Sequence, residues 1–188
     1  EYRKSFLDFK SSLGVILNIE EDHPDCYKTL TDIQTAFSDF SNICDNVVIN
    51  GDYKTIINNK NTLTFNYKNS NFSVKNIRRL NNGGHSFKVY KNNEFYDKFL
   101  INIFGKHNIL NALASICVAD FYKINRSVIK ESLYNFKGLK RRFEKVNSSK
   151  ISGEIYFDYA HHPTEIKKLL EEVKNFNKPI ICVFQPHT

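Results

Sequence analysis

Four of the six histidines stand just past apolar runs of strand length. His23 follows the run 13–19, His161 and His162 follow 155–159, and His187 follows 180–184. A core histidine would fall inside such a run. In open α/β sheets, ligands bind beyond the carboxyl ends of the strands, which is where these imidazoles are placed. Asn18 and His23, with Glu20, Glu21, Asp22 and Asp25 around them, offer carboxylate oxygens and one imidazole. Mg²⁺ shared with a phosphate ligand uses such a set, and a solvated acidic loop explains the same residues equally well. Asn108 and Asn111 are three apart at the start of a helical stretch and so share a face. Amides pair a donor with an acceptor, as the edge of adenine requires, although by local pattern alone Asn108 reads more simply as a helix cap. The guanidinium forks of Arg141 and Arg142 suit phosphate, Asp158 at a strand end suits ribose hydroxyls, and His161-His162-Pro163 opens a helix whose free N–H groups favour an anion. Gly105-Lys106 lacks the earlier glycine of a phosphate loop and is followed by His107, so no such loop is present in the sequence.

These groups need a scaffold. Residues 13–19 have the length of a strand covered on both faces, as in a parallel sheet. Leu30, Ile33, Phe37 and Phe40 recur at helical spacing, with Thr31 and Gln34 placed as a capping box, and Val47 to Ile49 supply another strand. From 62 to 103 the pattern becomes alternation: Leu63, Phe65, Tyr67; Phe72, Val74; Phe87, Val89; Phe99, Ile101, Ile103. Broken at Asn82-Gly83-Gly84, it predicts an antiparallel meander with one wet face. A helix over 107–124 carries the stripe Leu110, Leu113, Ala114, Cys117, Val118, Phe121, and a second over 127–136 stops before Gly138. Residues 139–142 read as a hinge. Strands over 143–146 and 151–159, a helix over 163–176 opened by Pro163 and a terminal strand over 180–184 then form a second α/β unit. The expected fold class is α/β, with domains 1–138 and 139–188.

The composition, 41% hydrophobic and 14% aromatic, supports a packed core and excludes disorder. No apolar run approaches the roughly 20 residues of a membrane span, so no membrane partner is expected. A balance of 27 Lys+Arg against 20 Asp+Glu, formally +7, favours anionic ligands. The basic residues are dispersed and do not gather with stacking aromatics, which argues against nucleic acid. Cys26, Cys44, Cys117 and Cys182 match neither a zinc pattern nor a redox pair, and a reducing cytoplasm is the simplest reading. Cys117 and Cys182 lie in apolar runs, where a thiol serves as a small hydrophobe. The lack of any Met, and a last strand that runs off the end, lead us to expect a piece of a longer protein.

Taken in order, Asn18-Ile19-Glu20-Glu21-Asp22-His23, Gly105-Lys106-His107-Asn108-Ile109-Leu110-Asn111-Ala112, Gly138-Leu139-Lys140-Arg141-Arg142-Phe143-Glu144, Asp158-Tyr159-Ala160-His161-His162-Pro163-Thr164-Glu165 and Gln185-Pro186-His187 resemble the motifs of the Mur ligases. The Tyr159–Pro163 and Gln185–His187 elements resemble those of its alanine-adding branch. The likeness runs from Glu1-Tyr2-Arg3 to Thr188. It implies most of the central ATPase domain, a mostly parallel sheet with an added antiparallel meander, followed by the start of a Rossmann-like C-terminal domain. It also implies a cytoplasmic ligase of peptidoglycan synthesis that uses ATP and Mg²⁺ to join L-alanine to the carboxylate of UDP-N-acetylmuramate through an acyl phosphate. By the same resemblance His23 is a Mg²⁺ ligand, Asn108 and Asn111 meet adenine, and Asp158 meets the ribose. Arg142 reaches the ATP phosphates and His161 acts beside it, the two catalytic residues. Tyr159, His161, His162 and His187 line the place where carboxylate and amino acid meet.

The departures from the family are at the ends. The family's phosphate loop and a metal-binding Glu precede the point where this sequence begins, and arginine-bearing sequence follows Gln185-Pro186-His187 in the family. The chain by itself is therefore expected not to turn over ATP. A related ligase that recycles murein tripeptides onto the same UDP-sugar acid shares the chemistry and is the alternative reading.

Overall fold

A computed structural model describes residues 4–147, 153–176 and 178–185. Among these, six strands form one sheet in the sequential order β1 (Gly14–Ile16), β2 (Val47–Asn50), β3 (Thr62–Asn66), β4 (Phe72–Arg79), β5 (His85–Lys91), β6 (Glu94–Ile101). β1 to β4 pair parallel, and β4 to β6 pair antiparallel. The α/β class and the mix of parallel and antiparallel strands stand as expected, with one shift. β3 belongs to the parallel part rather than to the meander, because Asn71 folds the short β3–β4 loop back on Thr64, whose backbone N–H (3.0 Å) and hydroxyl (3.0 Å) both reach the Asn71 Oδ1.

Helices cover both faces. α1 (Leu30–Ile43) packs Ile33 and Ala36 against Ile16, Val47 and Ile49. On the other face, α2 (Asn108–Phe121) and α3 (Arg126–Asn135) bring Ile109, Leu113, Ile116, Cys117 and Ile129 onto Val48, Phe65, Phe72, Phe87, Val89 and Phe99. β2 is therefore buried on both sides, the condition under which a strand reads as an unbroken apolar run. β1 differs from the expectation. Only three residues pair, and Val15 and Leu17 are exposed, because β1 is the edge strand of the described sheet and one of its faces is left uncovered. The capping box of α1 is also two residues earlier than the sequence predicts. Thr29 caps Asp32, whose carboxylate accepts from the Thr29 N–H at 2.8 Å. The hydroxyl and N–H of Thr29 hold the Asp32 carboxyl below the usual range.

Beyond α3 a two-stranded antiparallel unit, β7 (Glu144–Val146) with β8 (Ile155–Phe157), leads to α4 (Pro163–Val173) and a short 3₁₀ turn, Lys174–Phe176. The terminal strand expected over 180–184 is absent from the described residues. A strand needs a neighbour to pair with; residues 180–184 make no ladder with β8, and Ile181 and Val183 are each 92% exposed. Cys182 is likewise exposed and not a core filler, whereas Cys117 is buried, and burial pushes its thiol up.

Candidate functional site

The two-stranded unit meets the larger sheet through an aromatic stack. Phe143 lies 4.0 Å from Phe104 and 4.5 Å from Tyr156, centroid to centroid, with planes within 17° in both pairs. The backbone here is unusual. Arg141 (φ 60°) and Phe143 (φ 50°) both occupy the left-handed region, on either side of Arg142. Non-glycine residues persist there only when their surroundings hold them. Two carboxylates do so: Glu144 accepts from the Arg141 N–H at 2.8 Å, and Asp158 accepts from the Phe143 N–H at 2.7 Å and the Ala160 N–H at 2.7 Å. The Tyr159 N–H adds a bond to the Arg141 carbonyl (2.8 Å). The kink directs Arg142 at α4, where its Nη1 lies 3.2 Å from Glu165 Oε1, with its guanidinium 6.0 Å from the Tyr159 ring centre.

Glu165 also accepts from the His161 N–H (3.4 Å), and the Tyr159 and His161 rings meet edge-on at 5.1 Å. The His161 Nδ1 is 3.0 Å from the Tyr159 carbonyl. A carbonyl only accepts, so this bond assigns the hydrogen to Nδ1 and makes Nε2 the basic nitrogen of the neutral ring. His162 is the N-cap of α4. Its Nδ1 accepts from the Thr164 N–H (3.3 Å) and its Nε2 lies 3.0 Å from the Glu21 carbonyl, across the junction.

Glu21 belongs to the loop after β1. There His23 sits at φ 52°, its Nε2 3.8 Å from Asp22 Oδ2, while Asn18 donates to Glu20 at 3.3 Å. Lys168 of α4 reaches Glu20 at 3.7 Å. Asn18, Glu20, Glu21 and His23 from one side and His161, His162 and Glu165 from the other thus line one cleft of ≈ 300 Å³, floored by Tyr27 and Phe37. A hollow of ≈ 400 Å³ beside Asp8, Lys10 and Asp45 holds none of the predicted groups. No trio of His, Cys, Asp or Glu poised as a full metal cage occurs among the described residues. One imidazole beside carboxylates fits Mg²⁺, which keeps most of its waters and takes few protein ligands when phosphate shares it.

The structure therefore brings His23, His161, His162 and, through Glu165, Arg142 together, with Tyr159 at the rim. Asn108 and Asn111 do share one helix face but lie outside the lining of that cleft. Asn108 donates to the Phe104 carbonyl (2.7 Å) and accepts from Asn111 (3.0 Å). Asn108 is not the cap; His107 holds that position without a side-chain bond, its ring folded over Gly105 (φ 100°), where a Cβ would come within 2.5 Å of it. Both Asp158 oxygens serve the backbone of the hinge. His187 lies outside the described residues. The acidic partners Glu144 and Glu165 were not singled out in the sequence. Their signal was spacing alone, three residues after Arg141 and four after His161, a pattern too common to stand out.

A family profile described as "Mur ligase middle domain" matches residues 2–119, and one described as "Mur ligase, glutamate ligase domain" matches residues 141–188. The chain belongs to the Mur ligase family. Among curated Mur ligases, the UDP-N-acetylmuramate–L-alanine ligases of Clostridium novyi and Clostridium acetobutylicum are 44% and 42% identical to it over 198 and 197 residues, all of this chain and 43% of each relative. This Mur ligase chain thus spans less than half the length of the curated relatives it matches. The crystal structure of UDP-N-acetylmuramate-alanine ligase MurC from Thermotoga maritima superimposes with a TM-score of 0.77 at 28% identity, covering 91% of this chain and 40% of that one. MurF from Thermotoga maritima in complex with ADP shares the fold, with a TM-score of 0.69 at 17% identity over 88% of this chain and 39% of that chain. No helix among the described residues is long and apolar enough to cross a membrane.

Proposed function

We propose that this chain is the part of a cytoplasmic UDP-N-acetylmuramate–L-alanine ligase that holds ATP and Mg²⁺ against the reacting carboxylate and amine, with residues 1–138 belonging to the ATPase domain and 139–188 to the ligase domain. The observation that carries this reading is the single cleft shared by His23 and His161, with Arg142 tied to its wall through Glu165. That the two clostridial relatives named above carry the alanine-ligase name favours this reading over the tripeptide-recycling alternative.

A carboxylate is a poor acyl donor. In the proposed reaction an oxygen of the lactyl carboxylate attacks the terminal phosphorus of ATP and ADP leaves. The alanine amine then attacks the acyl carbon, loses a proton, and phosphate departs with both bonding electrons. The work left to the protein is alignment and charge neutralisation. Arg142 supplies a fixed positive fork to the phosphates, and Tyr159 and Glu165 limit where it can point. His161 presents Nε2 to the side where the amine and carboxylate meet, together with Tyr159, and the family likeness assigns His187 to the same substrates. Asn111 offers its amide to the adenine, steadied by Asn108, and Asp158 reaches the ribose while holding the hinge. Mg²⁺, held by His23 and phosphate oxygens, would neutralise charge developing on the transferred phosphoryl group.

The test is phosphate release by the full-length protein with UDP-N-acetylmuramate, ATP, Mg²⁺ and L-alanine. Arg142→Ala and His23→Ala are each expected to lower kcat by roughly 100-fold or more, the scale of losing one electrostatic stabiliser. The 188-residue chain alone is expected to release none above a blank. Preference for a tripeptide over alanine, or full activity in either variant, would overturn the proposal.

A further inference from the structure

We propose that His162 is a positioning residue: its imidazole is a strut between α4 and the His23 loop, and it sets the distance across the cleft. The inference deepens the reading above and rests on it for its kinetic consequence, though not for its geometry. His162 was expected among the substrate contacts. Its two ring nitrogens are already committed to backbone groups, one of Thr164 two residues away and one of Glu21, 141 residues away in sequence. Because Nδ1 accepts from the Thr164 N–H, the ring hydrogen stays on Nε2, which donates to the Glu21 carbonyl. Both bonds therefore need the same neutral tautomer, and turning the ring to face a substrate would break both.

Among the described residues, side chains of the α4 segment cross to the larger body from His162 to Glu21, from Lys168 to Glu20, and from Glu172 to the Lys106 N–H (2.9 Å). Their spacing places Lys168 and Glu172 on one helix face. The Lys168–Glu20 pair is long, 3.7 Å, and half exposed, so solvent screens it. The Glu172 bond lies at the far end of the helix and leaves the His23 loop untouched. The imidazole joins a rigid, two-point anchor on α4 to the loop carrying His23, a link less screened than the Lys168–Glu20 pair. Pro163 at the first helical position fixes the chain direction on its other side. The neighbouring His161 faces Tyr159 and Glu165 instead, so the two histidines divide the labour: one faces the reaction, the other holds the frame.

One net hydrogen bond biases the docked arrangement by only about 2- to 12-fold. Catalysis amplifies that, since a displacement of about 1 Å can cost on the order of 100-fold in rate.

Two substitutions separate the two ends of the ring. In His162→Asn the amide oxygen stands where Nδ1 stood and keeps the cap, but the side chain is too short to reach Glu21. In His162→Gln the amide nitrogen can reach Glu21, but the cap is lost. In the full-length ligase, Asn is expected to lower kcat about 10-fold or more with the KM values for alanine and UDP-sugar nearly unchanged, whereas Gln should lose no more than about threefold. The reverse ranking would make His162 a helix cap only. A rise in both KM values with kcat retained would make it a ligand contact. Equal rates in all three proteins, or an equal fall of kcat in both variants, would also overturn the strut.

A second measurement does not depend on turnover. Nitroxide labels are placed by Asp39→Cys on α1 and Lys167→Cys on α4, in a background with Cys26→Ser and Cys182→Ser. Their distance distribution should lengthen or broaden in the Asn variant and stay narrow in the Gln variant; an unchanged distribution in Asn refutes the strut. If the wild-type protein fails to ligate alanine, the functional proposal falls while this distance test still decides the role of His162.

Discussion

Replacing Phe143 by alanine removes the centre of the stack that joins the two units, and the loss can be sized. A Phe side chain covers roughly 150–250 Å² when buried. Phe143 is partly exposed, so about 100 Å² of contact is at stake, worth ~2.5 kcal/mol at 25 cal/mol per Å². Its two near-parallel neighbours at 4.0 and 4.5 Å add about 0.5–1.5 kcal/mol each. Closure of Phe104, Tyr156 and Phe176 onto the gap recovers part of this, which leaves a net cost of about 3 kcal/mol. Phe143→Leu keeps most of the area and loses the stacking, for a cost of about 1 kcal/mol. The left-handed φ at this position strains any side chain, so Phe143→Gly should be about 1 kcal/mol better than Phe143→Ala despite being smaller. Urea denaturation followed by circular dichroism gives the totals, and hydrogen exchange of α4 amides reports whether the two-stranded unit loosens first. A cost below about 1 kcal/mol for alanine, or leucine as damaging as alanine, would show that the stack does not hold the junction.

Two further outcomes follow from buried groups. His85 on β5 is 5% exposed with its Nδ1 unpartnered among the described residues, and burial first, then the charges of Arg79, Lys106 and His107, lower its pKa from 6.5 against the opposing pull of Glu172. The unfolded chain then takes up the proton more readily than the folded one. The stability that His85 contributes is therefore complete above about pH 6.5 and falls with further acidification, by at most about 1.4 kcal/mol per pH unit. His85→Gln should flatten the melting temperature between pH 7 and 5, and an unaltered slope would refute this. Cys182 is exposed, whereas Cys117 lies in the core with its thiol pushed up, so iodoacetamide should modify Cys182 in the native protein and Cys117 only after unfolding. Equal rates in the folded state would contradict the packing of α2.

Much of this molecule is written in short-range pattern. The stripe along α2 and the alternation of Phe87, Val89, Phe99 and Ile101 mark the faces that become the core. These relations span two to four residues, which is the range over which a helix or strand repeats, so the sequence reveals them without any partner. The edge position of β1 and the exposed 180–184 segment were not legible in the same way. An apolar run looks alike whether one face or both are covered, and only the neighbours present decide. The cap of α1 was misplaced for a related reason: Thr29 and Thr31 both satisfy the pattern within two residues, and the actual turn selects Thr29.

The residue types, their order and their position after strands were determined by the sequence itself, and they marked His23, Arg142 and His161 as candidates for the proposed site. Tertiary structure decided what each one touches. It put Asp158 and Glu144 under a left-handed hinge, turned Arg142 onto Glu165, and separated His161 from His162 by setting one against Tyr159 and the other against Glu21. These contacts join segments as much as 141 residues apart. Which distant groups meet depends on how the whole chain closes and on which backbone N–H and carbonyl groups are left unpaired by its helices and strands, and no local spacing carries that information.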